Sequence, residues 1–169
     1  MEEYGMLENI KAHSIVVEKV AAIIARELQN GPVAISLERV SAGALMHDIG
    51  KTLCLHSSND HAAKGREICL ENDLPEIADI VGEHVRLMDY GPSSPIGEKE
   101  IVYYADKRVN HDVIVSLDER LAYLLERYGR NEEYICKRII ENFDQCRALE
   151  KRLFTKLSFR PEGLNDLAS

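Results

Sequence analysis

The amino-acid sequence predicts an all-α protein, a single-domain bundle of about seven helices. Apolar residues recur at intervals of three and four along every long segment, which is the period of a helix with one buried face. No segment alternates apolar and polar residues as a half-buried strand would, so we predict no sheet beyond a two-residue bridge. With 169 residues, 45% of them hydrophobic, the chain is long enough to form one domain with its own core.

The first helix is predicted from about Met6 to Gln29, where Asn30-Gly31-Pro32 would stop it. His13 falls on the apolar face of this helix, where an unpaired polar group is costly. The face consists of Ile10, His13, Val17, Val20, Ile24 and Leu28.

The second helix is predicted to start at Ser36, a suitable N-cap, and to reach the sequence His47-Asp48-Ile49-Gly50-Lys51. Gly50 is predicted to terminate it. A polar stretch then precedes a third helix, which carries His61 in its first turn.

Pro75 suits the first turn of a fourth helix, whose apolar stripe includes His84. Residues 89–97 are rich in Gly, Pro and Ser and are predicted to form a loop. A fifth helix follows, with Asp106 on its apolar face beside Val102, Ala105 and Val109.

Ser116 and Glu119 have the spacing of a capping box and predict the start of a sixth helix, ended by Gly129. The seventh helix is predicted over residues 131–156. We expect residues 1–158 to form the domain, with the motifs confined to a core at 12–128. The tail at 159–169 shows little pattern and is expected to be disordered.

Composition narrows the class of protein. A formal net charge of −8 argues against binding a nucleic-acid polymer, which requires a basic face, but not against a small anion in a locally basic pocket. The absence of a long apolar run or a basic-then-apolar N-terminus argues against a membrane span and a secretory signal. Together with cysteines that lack CxxC spacing, this predicts a cytoplasmic protein with reduced thiols. The cysteines are Cys54, Cys69, Cys136 and Cys146.

Side chains of the kind that bind metals fall on the predicted buried stripes of five helices. They are His13, His47 with Asp48, His61, His84 and Asp106. Any one histidine alone is better explained as a hydrogen-bonded core residue, and Asp106 alone is equally well explained as a partner of Lys107 or Arg108. If these residues were unrelated, the cost of burying them would have to be offset at five separate places, whereas one shared ion would offset it for all of them. His56 and His111 fall in loop-like segments and are interpreted as surface residues.

These segments resemble the HD-domain superfamily of metal-dependent phosphohydrolases, specifically its HDIG-type branch. The family pattern of a His, a His-Asp pair and a distal Asp is matched by His13, His47-Asp48 and Asp106. The similarity extends over residues 12–128. The matching segments are Ala12-His13-Ser14, Ala44-Leu45-Met46-His47-Asp48-Ile49-Gly50-Lys51 and Ile101-Val102-Tyr103-Tyr104-Ala105-Asp106-Lys107.

A subset of that family has two further histidines and holds two metal ions, and His61 and His84 match those positions. The resemblance implies an all-α bundle in which Asp48 bridges the two ions. The first ion would be held by His13, His47, Asp48 and Asp106, and the second by Asp48, His61 and His84. The donors are nitrogen and oxygen without thiolate, so we expect one or two ions of Mn, Fe, Co, Ni, Zn or Mg.

The resemblance implies hydrolysis of a phosphate ester or anhydride by metal-activated water, with a nucleotide or dinucleotide as the expected substrate. Asp48 and Lys51 are the predicted catalytic residues, and Lys51 and Arg86 the predicted substrate contacts. Lys51 is equally well explained as a lysine at a helix C-terminus, and Arg86 is better explained as a solvated surface residue. The absence of a GYP motif argues against the cyclic-dinucleotide branch.

Two other functions remain open at this stage. One is a non-catalytic module that binds a nucleotide signal, although the presence of every ligand-type residue favours an enzyme. The other is a di-iron oxygenase, since a centre of histidines and carboxylates also supports that chemistry. The lysine of the HDIGK sequence and the known activities of the resembled family favour phosphate chemistry over oxygenation.

Overall fold

A computed structural model describes residues 2–29, 31, 34–57, 59–129 and 132–168, and within these residues the fold is all-α, as predicted. The helices of the first half are α1 (Glu8–Leu28), α2 (Leu37–Met46), α3 (Lys51–Cys54), α4 (His61–Glu71) and α5 (Pro75–Glu83). Those of the second half are α6 (Glu98–Lys107), α7 (Leu117–Tyr128), α8 (Glu133–Phe154) and α9 (Leu164–Leu167). A hairpin of two-residue strands, β1 (Val109–Asn110) and β2 (Val113–Ile114), connects α6 to α7.

The seven predicted helices correspond to the longer helices, and the four-residue α3 and α9 were not predicted. The capping box of α7 is present, because Ser116 Oγ accepts the Glu119 N–H and the Glu119 carboxylate accepts the Ser116 N–H. Two sequence signals lie outside the described residues: Asn30 and Pro32 after the first helix, and Asn131 before the last.

Gly50 does not terminate a helix as predicted. Helix α2 ends at Met46, residues 47–50 form a turn, and Gly50 has an ordinary helical φ of −78°. The position requires glycine because a Cβ there would overlap the carbonyl oxygen of His61 and the backbone nitrogen of Gly65 on α4. The missing side chain therefore lets the start of α4 lie against the His47–Gly50 turn.

Two other predictions about boundaries are corrected. Val109 is not on α6 but pairs with Ile114 in the hairpin. The tail contains a 3₁₀ turn at Pro161–Gly163 followed by α9, and Leu164 is fully buried against the core, which differs from the expected disorder.

Helix α1 is the central element and packs against α2 and α6, while α4 packs against α5. Every residue of the predicted apolar face of α1 is buried, including His13. Among the described residues, none of the helices has the length and apolar character needed to cross a lipid bilayer.

The buried Arg108 ties α6 to the C-terminal part of the chain. Its Nη1 donates to the Tyr104 hydroxyl at 2.6 Å and lies 3.4 Å from the Glu150 carboxylate of α8. Its Nη2 donates to the Pro161 carbonyl at 3.1 Å, and its Nε to the Val115 carbonyl at 2.7 Å. One side chain thus fixes α8, the C-terminal turn and the hairpin relative to the end of α6.

Substituting Gly50→Ala should destabilise the protein by about 1–3 kcal/mol, because the added methyl group meets backbone atoms that cannot rotate away. Gly163→Ala is the matched control: Gly163 also has a negative φ, and a Cβ there meets nothing within 4 Å. Urea unfolding of both variants measures the difference, and equal midpoints would contradict this account of Gly50.

Candidate metal centre

The six predicted ligand residues come together in one cluster, and five of them lie at or next to the end of a helix. His47 follows the last residue of α2, and Asp48 lies in the turn after it. His61 is the first residue of α4, where the Asp60 carboxylate caps the helix by accepting the Ala62 N–H at 2.9 Å. His84 caps the end of α5, Asp106 lies in the last turn of α6, and His13 comes from the middle of α1.

The adjacent residues His47 and Asp48 share one site. Neighbours on a helix lie about 100° apart, and His47 keeps helical backbone angles at the end of α2. Their side chains nevertheless meet, because His47 Nε2 lies 3.4 Å from Asp48 Oδ2.

Backbone carbonyls hold three of the four imidazoles in position. The hydrogen bonds run from His13 Nδ1 to His111 O (2.7 Å), from His47 Nδ1 to Ala44 O (2.7 Å) and from His84 Nδ1 to Val81 O (2.6 Å). A carbonyl only accepts, so Nδ1 carries a proton, and a neutral ring in this orientation presents its lone pair at Nε2. This is the orientation that metal-binding histidines adopt.

The Nε2 atoms face carboxylate oxygens in two groups that share Asp48. In the first group, His13 Nε2 lies 3.0 Å and His47 Nε2 3.7 Å from Asp106 Oδ1, and His47 also faces Asp48 Oδ2. In the second group, His61 and His84 place Nε2 at 3.4 Å and 3.5 Å from Asp48 Oδ1. The two oxygens of Asp48 therefore face different histidines.

These residues fit divalent metal ions. A lone pair aimed at a carboxylate oxygen is repelled unless a cation or proton lies between them, and His47 Nε2 is buried with no hydrogen-bond partner among the described residues. Nitrogen and oxygen ligands bound about 2.1 Å from an ion are about 3.0 Å apart at right angles and about 3.4 Å apart at the tetrahedral angle, and most of the observed spacings lie near these two values. Among the described residues, two sets of donor atoms are compact enough to hold an ion: His13, His47 and Asp48, and Asp48, His61 and His84.

The ionised carboxylates of the cluster favour a cation beside them. Burial alone would raise the pKa of Asp48, but His47, His84 and Lys51 hold it well below its usual range, so the carboxylate stays ionised. Burial opposes protonation of His47, yet Asp48 and Asp106 raise its pKa. Burial and the neighbouring His84 lower the pKa of His61 to about 4, which leaves a neutral imidazole able to bind metal.

Two lysines adjoin the cluster in different ways. Lys51 begins α3 rather than ending a helix, and its Nζ lies 2.7 Å from Asp48 Oδ2 with its side chain partly exposed. The buried Lys107 donates to the His84 carbonyl at 2.8 Å and lies 3.6 Å from Asp106 Oδ2. Lys107 therefore does pair with Asp106, as the alternative interpretation of that aspartate required, and it also links α6 to the end of α5.

A cleft of about 210 Å³ opens beside the first group of ligands, and it is lined by basic residues that were not predicted to belong to the site. Arg120 and Arg127 of α7 line it together with Lys51. Their spacing of seven residues, which places both on one face of the helix, is the signal that could have identified them. Arg86, the predicted substrate contact, is exposed and lines a different cleft with Tyr90 and Asn142.

His111 is a further residue of the site that was not predicted from the sequence. Its side chain is exposed, as predicted, but its carbonyl holds His13, and its backbone has a positive φ of 55°. No local sequence signal marks a backbone carbonyl as the partner of a histidine 98 residues away.

A family model described as the HD domain matches residues 10–111. The chain belongs to this family of metal-dependent phosphohydrolases. Relatives include ribonuclease Y of Pseudothermotoga lettingae, 24% identical over 97% of this chain and 30% of that protein, and ribonuclease Y of Thermosipho melanesiensis, 31% identical over 60% and 18%. An uncharacterized protein of Methanocaldococcus jannaschii is 28% identical over 85% of this HD-domain chain and 91% of its own length.

The chain spans less than a third of the length of these ribonuclease Y relatives. No solved structure matches it.

Asp48→Asn should remove metal binding from both groups, because it replaces the one carboxylate that both share with a neutral side chain of the same shape. Metal analysis after dialysis against Mn²⁺ should show loss of both ions, and metal-dependent turnover should disappear. The control is Asp79→Asn, which changes an exposed aspartate on α5. Wild-type metal content in Asp48→Asn would refute the shared site.

His61→Ala and His84→Ala test whether there are two ions. Each should reduce the metal content from two ions per chain to one, with activity falling far more than stability. His56→Ala, which removes an exposed histidine, should change neither. If these histidines contact the substrate in a one-metal enzyme instead, wild type and variants will all bind a single ion, and the variants will lose only substrate affinity.

Proposed function

We propose that this protein hydrolyses a phosphate ester or anhydride of a nucleotide or dinucleotide. The observation that carries the proposal is the division of the Asp48 carboxylate between two sets of histidines, beside a cleft that contains lysine and arginine. Asp48 would hold both ions, and a pair of cations at one site is suited to phosphoryl transfer.

The first ion would be held by His13, His47, Asp48 and Asp106, and the second by Asp48, His61 and His84. Such ions, when bound, supply a water of lowered pKa and neutralise charge on phosphate oxygens. The protein's contribution is to fix the ligands: carbonyl groups orient the imidazoles, and Lys107 fixes Asp106 relative to His84.

Lys51 is the residue that would touch the substrate phosphate. Burial opposes its charge, but Asp48 raises its pKa, so the ammonium group stays protonated at neutral pH. It lies on the same cleft as Asp48 and is partly exposed, so it can exchange its contact with the carboxylate for one with a phosphate oxygen.

The small cleft and the acidic chain favour a small phosphorylated substrate over a nucleic-acid polymer. The relatives named ribonuclease Y support a second candidate, cleavage of RNA phosphodiester bonds. The presence of all six ligand-type residues favours an enzyme over a nucleotide sensor. Lysine and arginine in the cleft favour phosphate chemistry over oxygenation.

Elemental analysis of the purified protein, followed by a hydrolysis screen, tests the proposal. The screen covers nucleotides, dinucleotides and short RNA with Mn²⁺, Fe²⁺, Co²⁺, Ni²⁺, Zn²⁺ or Mg²⁺. We expect metal-dependent release of phosphate or nucleotide that Asp48→Asn abolishes. A metal-loaded protein that turns over none of these substrates would overturn the proposal.

Lys51→Gln should lower kcat by about 100-fold, the typical effect of removing one donor from developing negative charge. Its metal content should remain that of the wild type. The control is Lys137→Gln, which removes an exposed lysine from α8. An unchanged kcat for Lys51→Gln would restrict Lys51 to pairing with Asp48.

A further inference from the structure

One face of α7 lines the cleft with an unusual mixture of cations and aromatic rings. Its residues recur at intervals of three and four, so they form one stripe along the helix. They are Arg120, Tyr123, Leu124, Arg127 and Tyr128. At about 1.5 Å per residue, Arg120 and Arg127 are about 10 Å apart along the axis, with Tyr123 between them.

Among the described residues, neither of the two guanidinium groups has a carboxylate at salt-bridge distance. The Arg120 guanidinium donates to the neutral Asn110 side chain at 2.8 Å, and the buried Arg120 Nε has no hydrogen-bond partner among the described residues. Arg127 is exposed and lies near the Tyr128 ring. Two guanidinium groups that have no carboxylate partner in the described part of an acidic chain, and that line one cleft, indicate that the ligand carries negative charge.

The aromatic part of the stripe is connected to the metal cluster. The His111 ring packs edge-on against Tyr123, with centroids 5.3 Å apart, while the His111 carbonyl holds His13. His111 has a left-handed backbone, which is uncommon for a residue other than glycine and concentrates at functional sites. This turn therefore brings a pair of rings to the cleft and orients a ligand residue at the same time.

We propose that Arg120, Tyr123 and Arg127 determine specificity by binding the part of the substrate beyond the scissile phosphate. That part would carry an aromatic base, which packs on Tyr123, and a second phosphate, which pairs with a guanidinium. The substrate is thus a nucleotide unit with two phosphates, either free or at the end of an RNA strand. This inference rests on the proposed function, because it takes the scissile phosphate to lie beside Lys51 and Asp48.

Steady-state kinetics of the metal-loaded full chain test the subsite with three substrates. Adenosine 3′,5′-bisphosphate has the base and the second phosphate, adenosine 5′-monophosphate has only the base, and glycerol 2-phosphate has neither. Arg127→Gln should raise the ratio of KM for the bisphosphate to KM for glycerol 2-phosphate by about tenfold or more. Tyr123→Leu should raise KM for both nucleotides.

The matched control is Arg39→Gln, which removes an exposed arginine on α2 and should leave all three KM values unchanged. Arg127 carries the decisive test because Arg120 also bonds the hairpin, so its loss can disturb His13. A bisphosphate KM in Arg127→Gln equal to that of wild type overturns the proposal. So does an equal rise in KM for glycerol 2-phosphate.

Isothermal titration calorimetry separates this inference from the proposed function. If the wild type hydrolyses no substrate but binds the bisphosphate, and Arg127→Gln weakens binding about tenfold or more, the subsite stands without the reaction. No binding to the wild type overturns the subsite. Competition by an oligoadenylate distinguishes a free nucleotide from the end of an RNA strand as the natural ligand. Stronger competition than by the bisphosphate indicates an RNA end, and weaker competition indicates a free nucleotide.

Discussion

The Asp48 carboxylate is the constraint on which the rest of the structure depends. It is almost completely buried and ionised, and it has Lys51 on one oxygen and histidines around both. An isolated buried carboxylate is too costly to retain, so the fold must bring compensating groups to it from distant parts of the chain. The convergence of helices α2, α4 and α5 on this point meets that requirement.

Most of the ligand-type side chains lie at helix ends, and this placement has a physical advantage. The last carbonyls of a helix lack partners within the helix, and the site uses them: Ala44 and Val81 near the ends of α2 and α5 accept from His47 and His84. The same contacts satisfy the backbone and orient the imidazoles. Close packing of the helix ends depends on Gly50, where any side chain would meet the backbone of α4.

The two sides of the site differ in character. On the inner side, buried Lys107 and the Arg108 network hold α6 against α5 and α8, which gives a rigid wall for Asp106. On the outer side, α7 presents the guanidinium groups of Arg120 and Arg127 and two tyrosine rings to a solvent-accessible cleft. Rigid ligands and an open, basic wall are what a phosphohydrolase requires, because the ligands must keep their geometry while substrates enter and leave.

The sequence by itself determined the helical class, the buried stripe of α1 with His13 on it, the capping box of α7 and the six ligand-type residues. These features are local: they depend on spacing along one helix or on residue types that match the family pattern. Tertiary structure decided what depends on distant segments. Three features follow from how the helices pack, and the periodicity within one helix encodes none of them. Gly50 serves close packing, Arg108 anchors the tail after Pro161, and Arg127 rather than Arg86 lines the cleft beside Asp48.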